Sequence, residues 1–282
     1  MSKILVAGAN GQLGRELVKL LGDRVVGADR GVLDIYDEKA VAVYCQAHQP
    51  SAIVNCAAYT AVDKAESDTE EAFGANEIGP KNLALAAKIL NIPLIHISTD
   101  FIFDGQKPTP YTEEDAVNPL NIYGQSKLAG EKAVLATRSK SLIIRTGWVY
   151  SAHGKNFVKT MLHYGKERGH LRVVFDQIGT PTHAADLAAA IADILPQANR
   201  GYGQIFHYSN EGVASWYDFA SAIIGLSDIA CTIEPIEAVE YPAPAKRPAF
   251  SVLNKKKIKQ TFKLAIPYWR ESLKRCMKEI NP

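Results

Sequence analysis

Ile4-Leu5-Val6-Ala7-Gly8-Ala9-Asn10-Gly11-Gln12-Leu13-Gly14 is the stretch that decides the fold. Four apolar residues in a row are the signature of a short strand buried on both faces, as in a parallel sheet. Gly8, Gly11 and Gly14 follow at once, a G-x-x-G-x-x-G variant of the dinucleotide fingerprint. Such a turn brings backbone N–H groups onto a phosphate, and the helix predicted from Gln12 to Leu21 turns its positive end to the same place. Gly8, Asn10, Gly11, Gln12, Leu13 and Gly14 are therefore candidate cofactor contacts. The expected class is α/β: a Rossmann-like doubly wound parallel sheet with a smaller C-terminal substrate-binding domain.

The next strand, Val25 to Ala28, ends in Asp29. An acidic residue about 20 positions beyond the first glycine is placed to hold a ribose 2′-hydroxyl, which favours NADH. Arg30 directly after it suits a 2′-phosphate, so NADPH and NADH both stay open. Asp34 and Ile35 are candidates for the adenine side, with a plain turn residue as the other reading of Asp34. A third apolar run, Ile53 to Ala58, ends in residues small enough for close ligand approach, making Ala57, Ala58 and Tyr59 candidates. A long helix is expected from about residue 70 to 90, with Asn76 near its start as a further cofactor candidate. The strand from Pro93 ends in Ser98-Thr99-Asp100, with Ser98 a further cofactor candidate. In an open parallel sheet ligands bind beyond the carboxyl ends of the strands, so Gly8, Ala57 and Thr99 point to one rim.

Tyr123 and Lys127 stand four residues apart on a predicted helix and so share a face. The spacing fits a surface pair as well as it fits chemistry; only the common rim separates the two. As chemistry, a nearby ammonium is expected to favour the phenolate and to make the phenol a readier proton donor to a carbonyl oxygen. Beyond the strand at 142–145 the alternation loosens, and a proline-rich loop is expected from 235 to 248. Residues 1–150 are read as the nucleotide-binding domain and 151–282 as mostly a substrate-binding domain, with 183–209 returning to the sheet.

Composition narrows the classes. The net charge of +2 over 282 residues lacks the basic excess of a nucleic-acid binder. No apolar run approaches the length of a membrane span. Cys45, Cys56, Cys231 and Cys276 show neither metal nor disulfide spacing. With no signal-peptide pattern ahead of the first strand, a cytoplasmic protein is expected.

These stretches together resemble the dTDP-4-dehydrorhamnose reductase family of the extended short-chain dehydrogenase/reductase superfamily. The matching runs are Gly11 to Gly14, Asn55 to Glu66, Ser98 to Gly105, Tyr123 with Lys127, Arg145 to Tyr150, Asp176-Gln177 with Gly179, Pro181 and Thr182, and Arg247-Pro248. The resemblance implies NAD(P)H-dependent reduction of the C4 ketone of a dTDP-linked 4-keto-6-deoxyhexose. Tyr123 would donate the proton, Lys127 would hold the nicotinamide ribose, and Thr99 would bond the same substrate oxygen. Asp100 would orient the sugar or a neighbouring donor. Phe101, Trp148, Asn156, Gln177 and Arg247 would contact the substrate, Trp148 as a flat apolar wall and Arg247 through the diphosphate, with core packing and a structural ion pair as their respective other readings. Phe101 stands where the family commonly has Tyr. Some members dimerise around magnesium; Glu16 and Asp186 are weak counterparts, and no required metal is expected, with a homodimer left open. The alternatives on the same fold are a non-catalytic subunit resembling the regulatory subunit of methionine adenosyltransferase and a nucleotide-sugar epimerase or dehydratase. A dehydratase would need an acid where Phe101 stands.

Overall fold

Buried apolar strands alternating with helices set the architecture, and the computed structural model describes it for residues 3–280. In chain order the first half runs β1 (Ile4–Ala7), α1 (Gln12–Leu21), β2 (Val25–Ala28), α2 (Glu38–His48), β3 (Ala52–Asn55), α3 (Val62–Ala65), α4 (Thr69–Phe73), α5 (Gly79–Ile89), β4 (Leu94–Thr99), α6 (Ile122–Ala136) and β5 (Ser141–Thr146). The second half runs β6 (Val149–Tyr150), α7 (Phe157–Arg168), β7 (His170–Val174), β8 (Ile178–Gly179), β9 (Thr182–His183), α8 (Ala184–Ile194), β10 (Ile205–His207), β11 (Ala214–Ser215), α9 (Trp216–Gly225), β12 (Thr232–Ile236), α10 (Lys256–Phe262) and α11 (Trp269–Ile280).

Six strands form one sheet in the order β10-β5-β4-β3-β1-β2, and every neighbouring pair is parallel. The chain steps outward from β1 to β2 and then back to β3 on the other side of β1. The C-terminal ends of β1 and β3 therefore flank a topological switch point, where a crevice opens.

Alternation along the strands feeds two cores. Val6, Val54, Ile95, Ile144 and Phe206 pack against Leu17 of α1, Leu187 and Ile191 of α8, and Phe262 of α10. Leu5, Ile53, Leu94 and Ile143 pack against Val41 of α2, Leu83 and Ala87 of α5, and Val134 of α6. A third core joins α7, β7, α9 and α11 through Tyr150, Val158, Leu171, Phe219, Trp269 and Leu273.

Two elements depart from expectation. The single helix expected across 70–90 is broken: α4 and α5 are separated by one π-helical turn at 74–78. The break answers a steric demand, because α6 crosses at Gly130, where a Cβ would lie 1.9 Å from the Asn76 carbonyl oxygen. The proline-rich segment expected as loop from 235 begins inside β12, which pairs with β7 and places Pro235 opposite Val173. Only these two strands make that sheet, so proline sits on an edge, where its missing N–H does no harm.

Candidate active site

Tyr123 lies in the first turn of α6, and three groups fix that turn. Asn121 caps the helix by accepting from the Gly124 N–H at 2.7 Å, and Glu66 accepts from the Ile122 N–H at 2.9 Å. Gly124 lies so close to the turn at 100–102 that a Cβ would stand 2.3 Å from the Phe101 carbonyl oxygen. The Phe101 ring meets the Tyr123 ring edge-on, with centroids 5.8 Å apart.

The electrostatics differ from the expectation. Burial pushes the Tyr123 phenol up to about 12, and a hydrogen bond with Thr99 only partly offsets this. Lys127 is buried, and its Nζ donates to the Ile97 carbonyl oxygen at 2.6 Å. Its own value is brought down to about 8 by burial, against the opposing pull of Glu131 and Cys56. The lysine does not make the phenol more acidic. Desolvation dominates at both groups, leaving Tyr123 firmly protonated at neutral pH.

Ser98 and Thr99 are neighbours on β4 with opposite duties, since successive side chains of a strand face opposite ways. Thr99 donates to Asp100 Oδ1 at 3.2 Å and accepts from the Phe101 N–H at 3.2 Å. Asp100 is buried, and desolvation raises its carboxyl to about 6 despite hydrogen bonds from Ser251 and Thr99. A Cβ on Gly147 would lie 2.5 Å from Asp100 Cγ, so only glycine leaves room for that carboxylate. Ser98, expected among the cofactor contacts, instead donates to Glu131 Oε1 at 2.5 Å. Glu131 in turn takes a two-pronged bond from Arg145, at 2.9 and 2.7 Å. This buried pair is the foundation under α6.

At the switch point the glycine loop is packed as tightly as its sequence implies. Gly8 has φ +77°, and a Cβ there would lie 2.6 Å from the Ala57 nitrogen; one on Gly14 would lie 2.2 Å from the Gly8 carbonyl oxygen. No side chain caps the N-terminus of α1, which leaves its first N–H groups for an anion. A cavity of about 290 Å³ opens beside the loop, lined by Gly8, Asn10, Gly11, Asp29, Arg30, Asp34, Ile35, Cys56, Ala57, Ala58 and Tyr59 among others. These residues fit a dinucleotide.

Inside that cavity several side chains already have partners. Asp29 accepts from the Gly31 and Val32 N–H groups at 2.9 and 3.2 Å, and its other oxygen from Asn10 Nδ2. Asp34 accepts from the Tyr36 N–H at 3.0 Å. Arg30 lies exposed over the Tyr36 ring and pairs with Glu71 at 3.2 Å. Asn76 is fully buried and does not face the cavity. Its Oδ1 accepts from the Tyr59 N–H at 3.0 Å, and its Nδ2 donates to the Tyr59 carbonyl at 3.1 Å and to Ser126 Oγ at 2.9 Å. It positions the loop and α6 from behind. Gln12 also turns away, accepting from Asn156 Nδ2 at 2.9 Å and donating to the Val149 carbonyl at 3.3 Å.

A larger cavity of about 720 Å³ lies among the C-terminal elements, lined by Phe157, Met161, Arg172, Gln177, Trp216, Tyr241 and residues 242–247 among others. Gln177 and Arg247 are among the lining residues. Asn156 is not: its amide is consumed in capping α7 at Lys159 and in bonding Gln12 and the Ser151 carbonyl. Trp216 lines this cavity, and Trp148, expected as a flat apolar wall, does not. The two indoles stack at 3.4 Å and 5°. Trp148 holds φ +52°, a strained value for a bulky residue. The head of α6 is tied to the larger cavity through its cap, since Asn121 donates to the carbonyl of Lys246, a lining residue, at 2.8 Å, and Cys56, a lining residue of the smaller cavity, acts electrostatically on Lys127.

The family sequence model described as "RmlD substrate binding domain" matches residues 2–281. A dTDP-4-dehydrorhamnose reductase of Aggregatibacter actinomycetemcomitans is 41% identical, covering 97% of this chain and 98% of that protein. The chain belongs to the dTDP-4-dehydrorhamnose reductase family. A crystal structure of a family member from Clostridium acetobutylicum superposes with a TM-score of 0.95 at 43% identity, over 99% of this chain and 100% of that one. Another, from Bacillus anthracis and in complex with NADP, gives 0.94 at 38% identity, again over 99% and 100%.

The two acidic residues weighed for a metal have other neighbours. Glu16 is buried with His153 Nε2 at 3.6 Å, and Asp186 is occupied by Asn210, Ser272 and Arg275. Among the described residues no group of three or more His, Cys, Asp or Glu side chains is arranged to hold a metal ion. No helix among them is long and apolar enough to cross a membrane. Trp216, Tyr241 and Arg172 are cavity residues that the sequence reading passed over. A lone Trp after a serine cap carries no signal of its own, and only the stacking on Trp148 reveals it.

Proposed function

We propose that this chain reduces the C4 ketone of dTDP-4-dehydro-L-rhamnose to dTDP-L-rhamnose, a step in nucleotide-sugar synthesis for surface polysaccharide. The nicotinamide cofactor, NADPH or NADH, supplies the hydride to C4. Tyr123 carries the proton for the C4 oxygen, and its raised pKa keeps that proton in place until an alkoxide forms beside it. Thr99, which bonds both Asp100 and the Tyr123 phenol, holds that phenol in line. Lys127 stays charged at neutral pH; one N–H is spent on Ile97, and two remain for ribose hydroxyls.

The loop of Gly8 to Gly14 takes the pyrophosphate, with Asp29, Arg30, Asp34 and Tyr59 around the adenosine half. Gln177, Arg247 and Trp216 bind the nucleotide sugar, Trp216 as its apolar wall. In this reading residues 1–150 with 183–209 bind the cofactor, and most of 151–282 bind the sugar. The four cysteines are free thiols, in keeping with a cytoplasmic enzyme. The exposed Val18 and Leu20 on α1, at 37% and 51%, offer an apolar contact for a homodimer.

The observation that carries the reading is the Tyr123–Thr99–Asp100 series at the head of α6, whose cap Asn121 bonds the Lys246 carbonyl at the wall of the larger cavity. It also weighs against a dehydratase, because the Phe101 ring beside Tyr123 is an apolar contact with no acid to give. A regulatory subunit would have no use for the series. Loss of NADPH absorbance on adding enzymatically prepared dTDP-4-dehydro-L-rhamnose tests the proposal. Soluble protein that binds NADPH yet leaves it unoxidised would end it.

A further inference from the structure

The run Tyr59-Thr60-Ala61-Val62-Asp63-Lys64-Ala65-Glu66 carries two acidic side chains that the chemistry above leaves unused. Both reach across to other elements. Glu66 holds the first N–H of α6, as described. Asp63, on α3, receives two bonds from the C-terminal half: Arg247 Nη2 donates to Oδ2 at 2.8 Å, and the Ala245 N–H donates to Oδ1 at 3.2 Å. Arg247 Nη1 closes back onto the Ala245 carbonyl at 3.1 Å. Between these residues, the Lys246 carbonyl accepts from Asn121, the cap of the catalytic helix. Three consecutive residues, 245–247, are thus stitched to α3 and to the head of α6, and all three line the larger cavity.

We propose that Asp63 is a positioning residue for the substrate's diphosphate, acting through Arg247. This rests on the functional reading above. A guanidinium has five N–H donors. Two are spent on Asp63 and Ala245, which fixes the fork at the cavity wall and leaves three for phosphate oxygens. A free arginine side chain has many rotamers, and the Asp63 bond removes that freedom before substrate arrives. Preorganisation of this kind strengthens binding without altering the barrier at C4. The side chain of Asp63 is 44% exposed, so its role does not include filling the core. Lys64, the adjacent charge on α3, is engaged with Asp68 and does not compete for Asp63.

The test compares wild type, Asp63→Asn, Arg247→Ala and the double variant. Asp63→Asn is expected to raise KM for the dTDP-sugar about tenfold, with kcat held within about twofold and NADPH affinity unchanged. Product dTDP, measured as an inhibitor, should weaken by the same factor. Thymidine, which lacks the diphosphate, should not weaken. In the Arg247→Ala background the Asp63 substitution should add nothing. Arg247→Lys keeps the charge but cannot span Asp63 and the Ala245 carbonyl together, and is expected to show the same loss confined to KM.

An unchanged KM in Asp63→Asn overturns the proposal, as does equal weakening of dTDP and thymidine, or full additivity in the double variant. These outcomes are separable from failure of the functional reading, which would appear as a wild type that neither turns over the sugar nor binds dTDP.

Discussion

The Lys127 ammonium donates to the Ile97 carbonyl oxygen at 2.6 Å, which ties the catalytic helix to the strand that ends in Thr99. The lysine is thereby both buried and charged, and its value near 8 lies far below that of Tyr123, near 12. The alkaline limb of the kcat/KM profile is therefore assigned to Lys127. Activity is expected to fall as pH rises through about 8, while Tyr123 keeps its proton across the whole range. Lys127→Arg, whose charge does not titrate there, should move the limb upward. A limb that stays at the same pH in Lys127→Arg would contradict the assignment.

Tyr123→Phe removes the proton source and leaves the ring packing against Phe101. Turnover should fall by about 10²–10⁴-fold, with NADPH affinity retained in a direct titration. A variant that turns over at the wild-type rate would strip Tyr123 of the role.

Asp100 provides a stability test. Its folded pKa, about 6, stands above the value near 3.9 of an unfolded chain. The folded state then holds a proton that the unfolded state has released, so stability falls as pH rises from about 4 to about 6 and stays lower above that window. Asp100→Asn has no such dependence. It should be more stable than wild type at pH 7 by about 2–3 kcal/mol at most, with the gain shrinking toward pH 4. Denaturant melts at the two pH values decide the matter, and parallel shifts at both would refute it. The same variant should lose activity, since the charged group at the site is what costs stability.

Arg30 tests cofactor choice. Both oxygens of Asp29 are committed within the protein, whereas Arg30 is exposed and held only by Glu71 and the Tyr36 ring. Release from Glu71 would let it meet a 2′-phosphate. Arg30→Ala should raise KM for NADPH by roughly tenfold and leave that for NADH nearly unchanged. Equal effects on both cofactors would place Arg30 outside cofactor selection.

Local signals made much of this legible from sequence. The apolar run before Gly8 and the glycine spacing settled the parallel sheet and its phosphate loop, because a period and a steric demand are both written in consecutive residues. Tyr123 and Lys127 were visible as a spacing, but their electrostatics were not. Burial decides both pKa values, and burial belongs to the fold. Asn76, Ser98 and Asn156 stand near the site in sequence yet spend their polar atoms on Ser126, Glu131 and Gln12. Such partners lie far along the chain and leave no local trace. Trp216 was hidden for the same reason, since its importance comes from Trp148, whose backbone takes a conformation that sequence does not announce.

The place of β10 bears on how the molecule is made. Residues 205–207 pair with 143–145, so during synthesis the outer edge of β5 stays unpaired until more than two thirds of the chain has emerged. That edge carries Ile143 and Ile144, both fully buried once folding is complete. A nascent chain halted near residue 150 would offer a hydrophobic strand to whatever chain lies nearest, an invitation to aggregate. The N-terminal half is thus not a detachable module. Its sheet becomes whole only after much of the C-terminal half has been made, which makes the two a single unit of expression.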